Sequence, residues 1–245
     1  MAAANAHVNA AMRAALRPGP EDVILELAGG TGELAAALAP RVARFIYTDF
    51  SPAMVEVAKR RGTPGVEHRV VDMQSIDLPD ASVDGVICRY GYMLVPDSAL
   101  AMRETRRVLR PGGRVALATW AAAAKNPWAT RYGPVLMERG LMEPPPPGEP
   151  GQFALSEPEQ IESLAREAGF EDVAVEEVPL DFRFKDWEDY RDVVTSLAAS
   201  LRQTLSALDE TTRAEVDDAA RARFEPFSSE SGYVMPGVAL VARAV

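Results

Sequence analysis

The chain has 245 residues, a formal net charge of −10 and 47% hydrophobic residues. That is enough apolar chain to build a full core, in one domain or in one domain with a subdomain, and the acidic balance argues against a nucleic-acid partner, which needs clustered Lys and Arg. A single cysteine, Cys88, and two separated histidines, His7 and His68, exclude an intrachain disulfide and leave no cluster from which to expect a metal site.

Residues 2–16, rich in Ala, Met, Arg and Leu, predict a helix that ends before Arg17-Pro18-Gly19-Pro20. Val23-Ile24-Leu25-Glu26-Leu27 reads as a short strand buried on both faces. Ala28-Gly29-Gly30-Thr31-Gly32 then crowds a turn, and a helix follows over 32–39, stopping before Pro40. A strand, a glycine turn and a helix start make a place where bare backbone meets a ligand; the alternative is a tight turn without one. Arg44 to Thr48 predicts a second strand, and the acid that ends it, Asp49, lies nineteen residues beyond Gly30. Nucleotide-binding α/β folds hold a ribose diol at that place. Ser51 and Pro52 predict the N-cap and first position of a helix that runs to about Arg61 and closes at Gly62.

Further strands are predicted over 66–71, ending in Asp72-Met73, and over 83–89. A helix over 97–109, capped by Asp97 or Ser98, leads into a turn at Arg110-Pro111-Gly112-Gly113 and a strand over 114–120. Strands alternating with helices at this spacing predict a parallel sheet with its ligand at the carboxyl ends of the strands. Past Trp120 the rhythm changes. The sequence predicts a helix over 130–139, a polyproline surface connection at Pro144-Pro145-Pro146-Pro147, a helix over 157–168 closed by Gly169, and a strand over 173–179. Two amphipathic helices over 186–207 and 209–224 and a final strand pair or bent strand over 233–245 complete the chain. No run reaches the ~18 apolar residues of a membrane helix, and 1–17 lacks a basic start followed by an apolar core. The expectation is a cytoplasmic protein with a small-molecule substrate and no membrane partner; monomer and homodimer both stay open.

Glu26-Leu27-Ala28-Gly29-Gly30-Thr31-Gly32, Asp49-Phe50-Ser51-Pro52-Ala53-Met54 and Val108-Leu109-Arg110-Pro111-Gly112-Gly113 together resemble three motifs of the class I S-adenosylmethionine-dependent methyltransferases: E/D-x-G-x-G-x-G, D-x-S-x-x-M and V-L-R/K-P-G-G. The Asn126-Pro127-Trp128, 151–155 and 167–170 segments resemble the subgroup akin to quinone-biosynthesis methyltransferases, the type 11-like kind. The resemblance implies an α/β fold with a Rossmann-like, seven-stranded, mostly parallel, doubly wound sheet and a helical lid insert. It implies a single methyltransferase domain over 1–245, with a cofactor-binding core at 20–120 and lid or substrate-pocket inserts at 121–155 and 181–230. The cofactor is then S-adenosyl-L-methionine, and the reaction is O-, N- or C-methylation of a small molecule, mainly by proximity and desolvation.

On this resemblance Asp49 accepts from both ribose hydroxyls, with a helix cap as the alternative role. Phe50 and Met54 flank the adenine or serve as ordinary core. Asp72 accepts from the adenine amino group beside Met73, or caps a turn. Glu26 stands near the methionine amino group, where a buried acid needs a donor. Ala28, Gly29, Gly30 and Gly32 form the backbone cradle. Ala28 replaces the family's usual first glycine, which is tolerated if the backbone angle there stays negative. Arg89 and Tyr90 line the methionine end and substrate mouth. Tyr90 and His7, the latter if the N-terminal helix folds over the site, are the candidate catalytic groups. Cys88 and His68 read as structural. The competing readings are an NAD-dependent oxidoreductase, which shares the glycines and Asp49 but lacks the Pro-Gly-Gly turn, and a non-catalytic module that binds the adenosyl cofactor.

Overall fold

A computed structural model describes residues 4–144, 146 and 148–245. Pro145 and Pro147 of the polyproline stretch lie outside the described residues; Pro144 and Pro146 are exposed. In chain order the first half holds α1 (Ala6–Leu16), β1 (Val23–Leu27), α2 (Glu33–Leu38), β2 (Arg44–Asp49), α3 (Pro52–Arg61), β3 (Val66–Val70), β4 (Val83–Arg89), α4 (Ser98–Val108) and β5 (Leu109–Trp120). The second half holds α5 (Tyr132–Glu138), α6 (Pro158–Glu167), β6 (Ala174–Phe184), α7 (Trp187–Leu197), α8 (Ala199–Ala207), α9 (Glu210–Ala222), β7 (Ser228–Ser229) and β8 (Gly232–Ala244). No described helix is long and apolar enough to cross a membrane.

The strands form one mixed sheet in the order β3-β2-β1-β4-β5-β8-β6, with the short β7 paired to β8. Pairing is parallel from β3 through β5 and antiparallel between β5 and β8. The chain winds outward from β1 to β3 on one side and then from β4 to β5 on the other. Its order therefore reverses between β1 and β4, and the crevice at the carboxyl ends of those two strands is where such sheets take ligands. Ile24, Leu25, Phe45, Ile46, Val86, Ile87 and Ala116 are all buried, as strands covered on both faces require.

Local signals account for the helix ends. Ser51 Oγ accepts from Met54 N, Pro52 opens α3, and Gly62 closes it at φ 69°. Asp97 caps α4 through Leu100 N. Glu157 and Gln160 form a reciprocal capping box on α6.

The chain divides into two compact units. One comprises Asn5–Ala121, Gly148–Val178 and Ala239–Val245; the other comprises Met1–Ala4, Ala122–Pro147 and Pro179–Val238. The first contains β1 to β5 and α1 to α4. The second is centred on an aromatic cluster, in which Phe224 stacks on Tyr190 at 4.7 Å and on Tyr233 at 4.0 Å. Trp187 lies 5.4 Å from Tyr190. Trp128 stacks on Phe182 at 4.2 Å in the same unit.

Three expectations are corrected. The 186–207 segment is two helices, because Ala198 leaves the helical region at φ −111°, ψ 94°. The sixth strand runs through Pro179 to Phe184: Val178, Leu180, Phe182 and Phe184 are buried in alternation with exposed neighbours. Its place at the edge of the sheet lets a proline sit within it. Finally, Arg110-Pro111-Gly112-Gly113 is not a turn ahead of the fifth strand but an outward excursion within β5. Pairing jumps from Val83↔Leu109 to Gly85↔Arg114, so residues 110–113 stand opposite Asp84 alone. Gly112 sits at φ 75°. The excursion is pinned by Arg110 Nη1, which donates to both Asp84 oxygens at 2.7 and 2.6 Å, while Asp84 Oδ2 also accepts from Val23 N at 2.8 Å.

A Cβ on Gly113 would lie 2.8 Å from the Arg110 carbonyl oxygen and 3.2 Å from that of Asp84. Gly113→Ala is therefore expected to cost about 1–3 kcal/mol of stability in denaturant unfolding; an unchanged midpoint would mean that the excursion is free to shift.

Candidate active site

The glycine turn after β1 is sewn to β2 by backbone. Gly29 N donates to Thr48 O at 2.9 Å, Gly30 N donates to Asp49 Oδ2 at 2.9 Å, and the Tyr47 hydroxyl donates to the Gly30 carbonyl at 2.6 Å. The glycines serve different ends. A Cβ on Gly29 would lie 2.3 Å from the Tyr47 ring, so Gly29 is there for packing. A Cβ on Gly30 would meet nothing within 4 Å, so this glycine is there for its left-handed backbone, at φ 56°. Gly32 (φ 76°) precedes α2 and lets it pack close to Ala58.

Ala28 departs from expectation: its φ is +51°, in the left-handed region, not negative. The alanine methyl then fixes the next contact, because a Cβ on Gly91 would fall 2.7 Å from the Ala28 Cβ and 2.5 Å from Cys88 Sγ. Ala28 and Tyr90, also left-handed at φ 63°, both line a cavity of about 600 Å³. That volume suits a small-molecule ligand.

From the predicted set the cavity wall takes Ala28, Asp49, Phe50, Asp72, Met73 and Tyr90. Each carboxylate oxygen of Asp49 has a backbone donor, Gly30 N on Oδ2 and Ser51 N (2.8 Å) on Oδ1. A carboxylate has about four acceptor positions, so Asp49 serves as cap and still offers lone pairs to hydroxyls. Phe50 is 74% exposed on the cavity wall. Asp72 is steadied by Gln74, whose backbone N and Nε2 donate to Oδ1 at 2.8 and 3.2 Å.

Gly29, Gly30, Gly32, Glu26, Arg89, Met54 and His7 are not among the lining residues. Met54 is partly exposed on α3, and His7 is exposed on α1. Arg89 donates through Nη1 to Asn9 Oδ1 at 2.7 Å and through Nη2 to Glu33 Oε2 at 3.1 Å. Val71, Gln74, Gly91, Leu94, Val95 and Pro96 complete the wall, and none of them was predicted as a site residue. Gln74 sits two residues past Asp72, and that proximity was the available signal.

Glu26 is buried at the end of β1, and its Oε2 has no hydrogen-bond partner among the described residues. Burial pushes its carboxyl up to about 8; the Arg89 charge lowers it, the Asp49 charge raises it and a hydrogen bond from the Ala35 backbone lowers it. An orphaned buried carboxyl oxygen is costly and calls for a donor. The cavity thus presents acceptors for hydroxyls at Asp49, a further carboxylate at Asp72 and an apolar wall at Phe50, Met73 and Leu94, while the orphaned oxygen of Glu26 stays buried off that wall. The ribose and adenine parts of S-adenosylmethionine fit this set. Burial also pushes the Cys88 thiol up to about 12, which makes it inert.

Ala28→Gly removes a left-handed alanine worth about 1–2 kcal/mol of strain against roughly 0.5–1 kcal/mol of added chain entropy. It is expected to raise stability by up to about 1 kcal/mol on the same scales, and a loss on denaturant unfolding would show that the methyl contact outweighs the strain. The Glu26 value lies above the ordinary 4.5, so its stabilising contribution is full below about 4.5 and is lost as pH rises through about 8. Glu26→Gln is expected to flatten the fall of melting temperature over that window; a parallel fall in both proteins would place the titration elsewhere.

The family model for a methyltransferase domain matches residues 25–117. The chain is similar to the ubiquinone/menaquinone biosynthesis C-methyltransferase UbiE of Caulobacter vibrioides, at 34% identity over 134 residues, covering 50% of this chain and 53% of that protein. It is similar to the demethylmenaquinone methyltransferase of Mycobacterium sp. (strain JLS), at 34% identity over 125 residues, covering 51% and 53%. The chain therefore spans about half the length of the curated relatives it matches. Among solved structures, the YcgJ protein of Bacillus subtilis shares the fold with a TM-score of 0.65 at 19% identity over 97% of both chains. Phosphoethanolamine N-methyltransferase 2 of Haemonchus contortus, solved with S-adenosyl-L-methionine, shares it with a TM-score of 0.58 at 18% identity, over 97% of this chain and 52% of that one. Motifs, strand order and family model agree: residues 25–117 match a methyltransferase domain, on the fold that the solved methyltransferase structures share.

Proposed function

We propose that this chain methylates a small molecule with S-adenosyl-L-methionine, and that the acceptor is a quinone-type ring methylated at carbon. The observation that carries the first part is the Asp49 carboxylate, tied to Gly30 N at 2.9 Å and facing a cavity of about 600 Å³. The second part is supported by the names of the UbiE and demethylmenaquinone relatives.

When bound, the sulfonium cofactor supplies an electrophilic methyl group on a good leaving group. The chain's own residues hold and align. Asp49 accepts the ribose hydroxyls bidentately. Phe50, Met73 and Leu94 form the apolar wall for a flat ring. Asp72, oriented by Gln74, accepts from an exocyclic amino group. Glu26 receives the ammonium group, and Arg89 with Tyr90 closes the end of β4. Burial raises Tyr90 further above its already high ordinary value and Cys88 to about 12, so neither serves as a ready base. His7 is exposed on α1, which leaves positioning and exclusion of water as the means of catalysis.

Calorimetry with S-adenosylmethionine, S-adenosylhomocysteine and NAD tests the cofactor. The first two are expected to bind and NAD is not; the reverse would favour an oxidoreductase. A methyl-transfer assay across demethylated naphthoquinols, benzoquinols, phenols, amines and carboxylates tests the acceptor, with product expected from the quinols. Asp49→Ala is expected to weaken cofactor binding by about 1.5–3 kcal/mol, the range for a hydrogen bond to a charged group; unchanged affinity in a folded variant would remove Asp49 from the site.

A further inference from the structure

Asn5 occupies the N-cap position of α1. Asparagine there ordinarily accepts a hydrogen bond from a first-turn backbone N–H, worth about 1 kcal/mol. Here the backbone of Asn5 is already helical, at φ −77° and ψ −3°, and its side chain makes no such bond. It is instead buried, 5% exposed, and its Oδ1 accepts the Tyr90 hydroxyl at 3.1 Å. One turn along, Asn9 Oδ1 accepts Arg89 Nη1 at 2.7 Å. Residues four apart share a helix face, so α1 grips two consecutive residues at the end of β4. The far end of α1 is held as well, since Arg114 donates to the carbonyls of Leu16 and Arg17.

Tyr90 needs holding. Its φ of 63° is unfavourable for a bulky side chain, and such conformations persist where the surroundings over-determine them. Three contacts do so: Tyr90 N donates to Ala118 O at 2.8 Å, the ring stacks on Trp120 at 4.1 Å and 10°, and the hydroxyl reaches Asn5. Tyr90 is part of the cavity wall. Asn5 is not, and it touches the cavity only through Tyr90.

We propose that Asn5 is a positioning residue for methyl transfer, acting through Tyr90, with Asn9 doing the same for Arg89. The N-terminal helix spends the Asn5 side chain on Tyr90, so that the wall at the end of β4 is set before ligand arrives. This role rests on the methyl-transfer reading above.

Asn5→Ser separates positioning from helix support, because serine caps a helix as well as asparagine does but its hydroxyl falls short of Tyr90. Tyr90→Phe breaks the same hydrogen bond from the other side and keeps the ring. Each variant is expected to lower the melting temperature only as far as the loss of one buried hydrogen bond requires, to lower kcat about five- to tenfold with little change in KM for the quinol, and to be no worse when combined. That factor corresponds to one neutral hydrogen bond of about 1–1.5 kcal/mol. Near-UV circular dichroism of the ligand-free protein gives a second readout, with Asn5→Ser expected to weaken the signal of the Tyr90–Trp120 stack. An unchanged spectrum and unchanged kcat in Asn5→Ser, or additive losses in the double variant, would overturn the proposal. Wild-type protein that binds no S-adenosylmethionine while Asn5→Ser still alters the spectrum would leave the clamp standing. That outcome would remove the transfer reading and, with it, the catalytic role of Asn5.

Discussion

The site depends on one hydrogen bond, from the Gly30 amide to the Asp49 carboxylate. It ties the turn after β1 to the end of β2 and fixes the acid beside the left-handed glycine of that turn. Both flanks reinforce it. Thr48 Oγ1 donates to the Glu26 carbonyl at 2.7 Å, and the Tyr47 hydroxyl donates to Gly30 O. Since a Cβ on Gly29 would run into the Tyr47 ring, the absent side chain and the buried ring are parts of one packing arrangement. A parallel sheet supplies the register, pairing Glu26 with Tyr47, and the turn inherits its position from that pairing.

Charge at the carboxyl ends of the strands follows from this geometry. Glu26 and Glu33 share Arg89 there, while Asp49 and Asp72 stand on the cavity wall. Glu33 takes Arg89 directly, so Glu26 feels the guanidinium only at a distance, and burial raises its carboxyl. On the proposed reading, a ligand that brings hydroxyl donors meets acceptors already in place at Asp49. That complementarity separates this crevice from an ordinary surface cleft.

The Pro-Gly-Gly excursion has a supporting role. By pushing residues 110–113 out of the sheet it lets Arg110 reach Asp84 and returns Arg114 into register with Gly85. Arg114 in turn binds the C-terminal end of α1, and α1 presents Asn5 and Asn9 to residues 89 and 90. A motif that reads as punctuation in the chain is thus one support of the wall at residues 89 and 90, acting through hydrogen bonds from Arg114 to carbonyls 98 and 97 residues earlier in the chain.

Much of the fold is legible along the chain because the deciding forces act within a few residues. Caps at Ser51 and Asp97, the glycine stop at Gly62, the capping box at Glu157 and the alternation of apolar strands with helices each depend on near neighbours. The place of Asp49 is legible for the same reason, since it ends a strand at a set distance beyond a glycine turn. The left-handed backbone at Ala28, the orphaned oxygen of Glu26, the diversion of Asn5 from cap to clamp and the break at Ala198 are not legible. Nothing beside Ala198 marks a stop, and Ala28 carries no side-chain signal of its φ. Asn5 and Tyr90 lie 85 residues apart, Asn9 and Arg89 80. Local chemistry by itself determined which segments are strands and helices and where the glycine turn and its acid would fall. Only the packed structure decided which buried groups find partners, because that depends on which distant segments the sheet brings together.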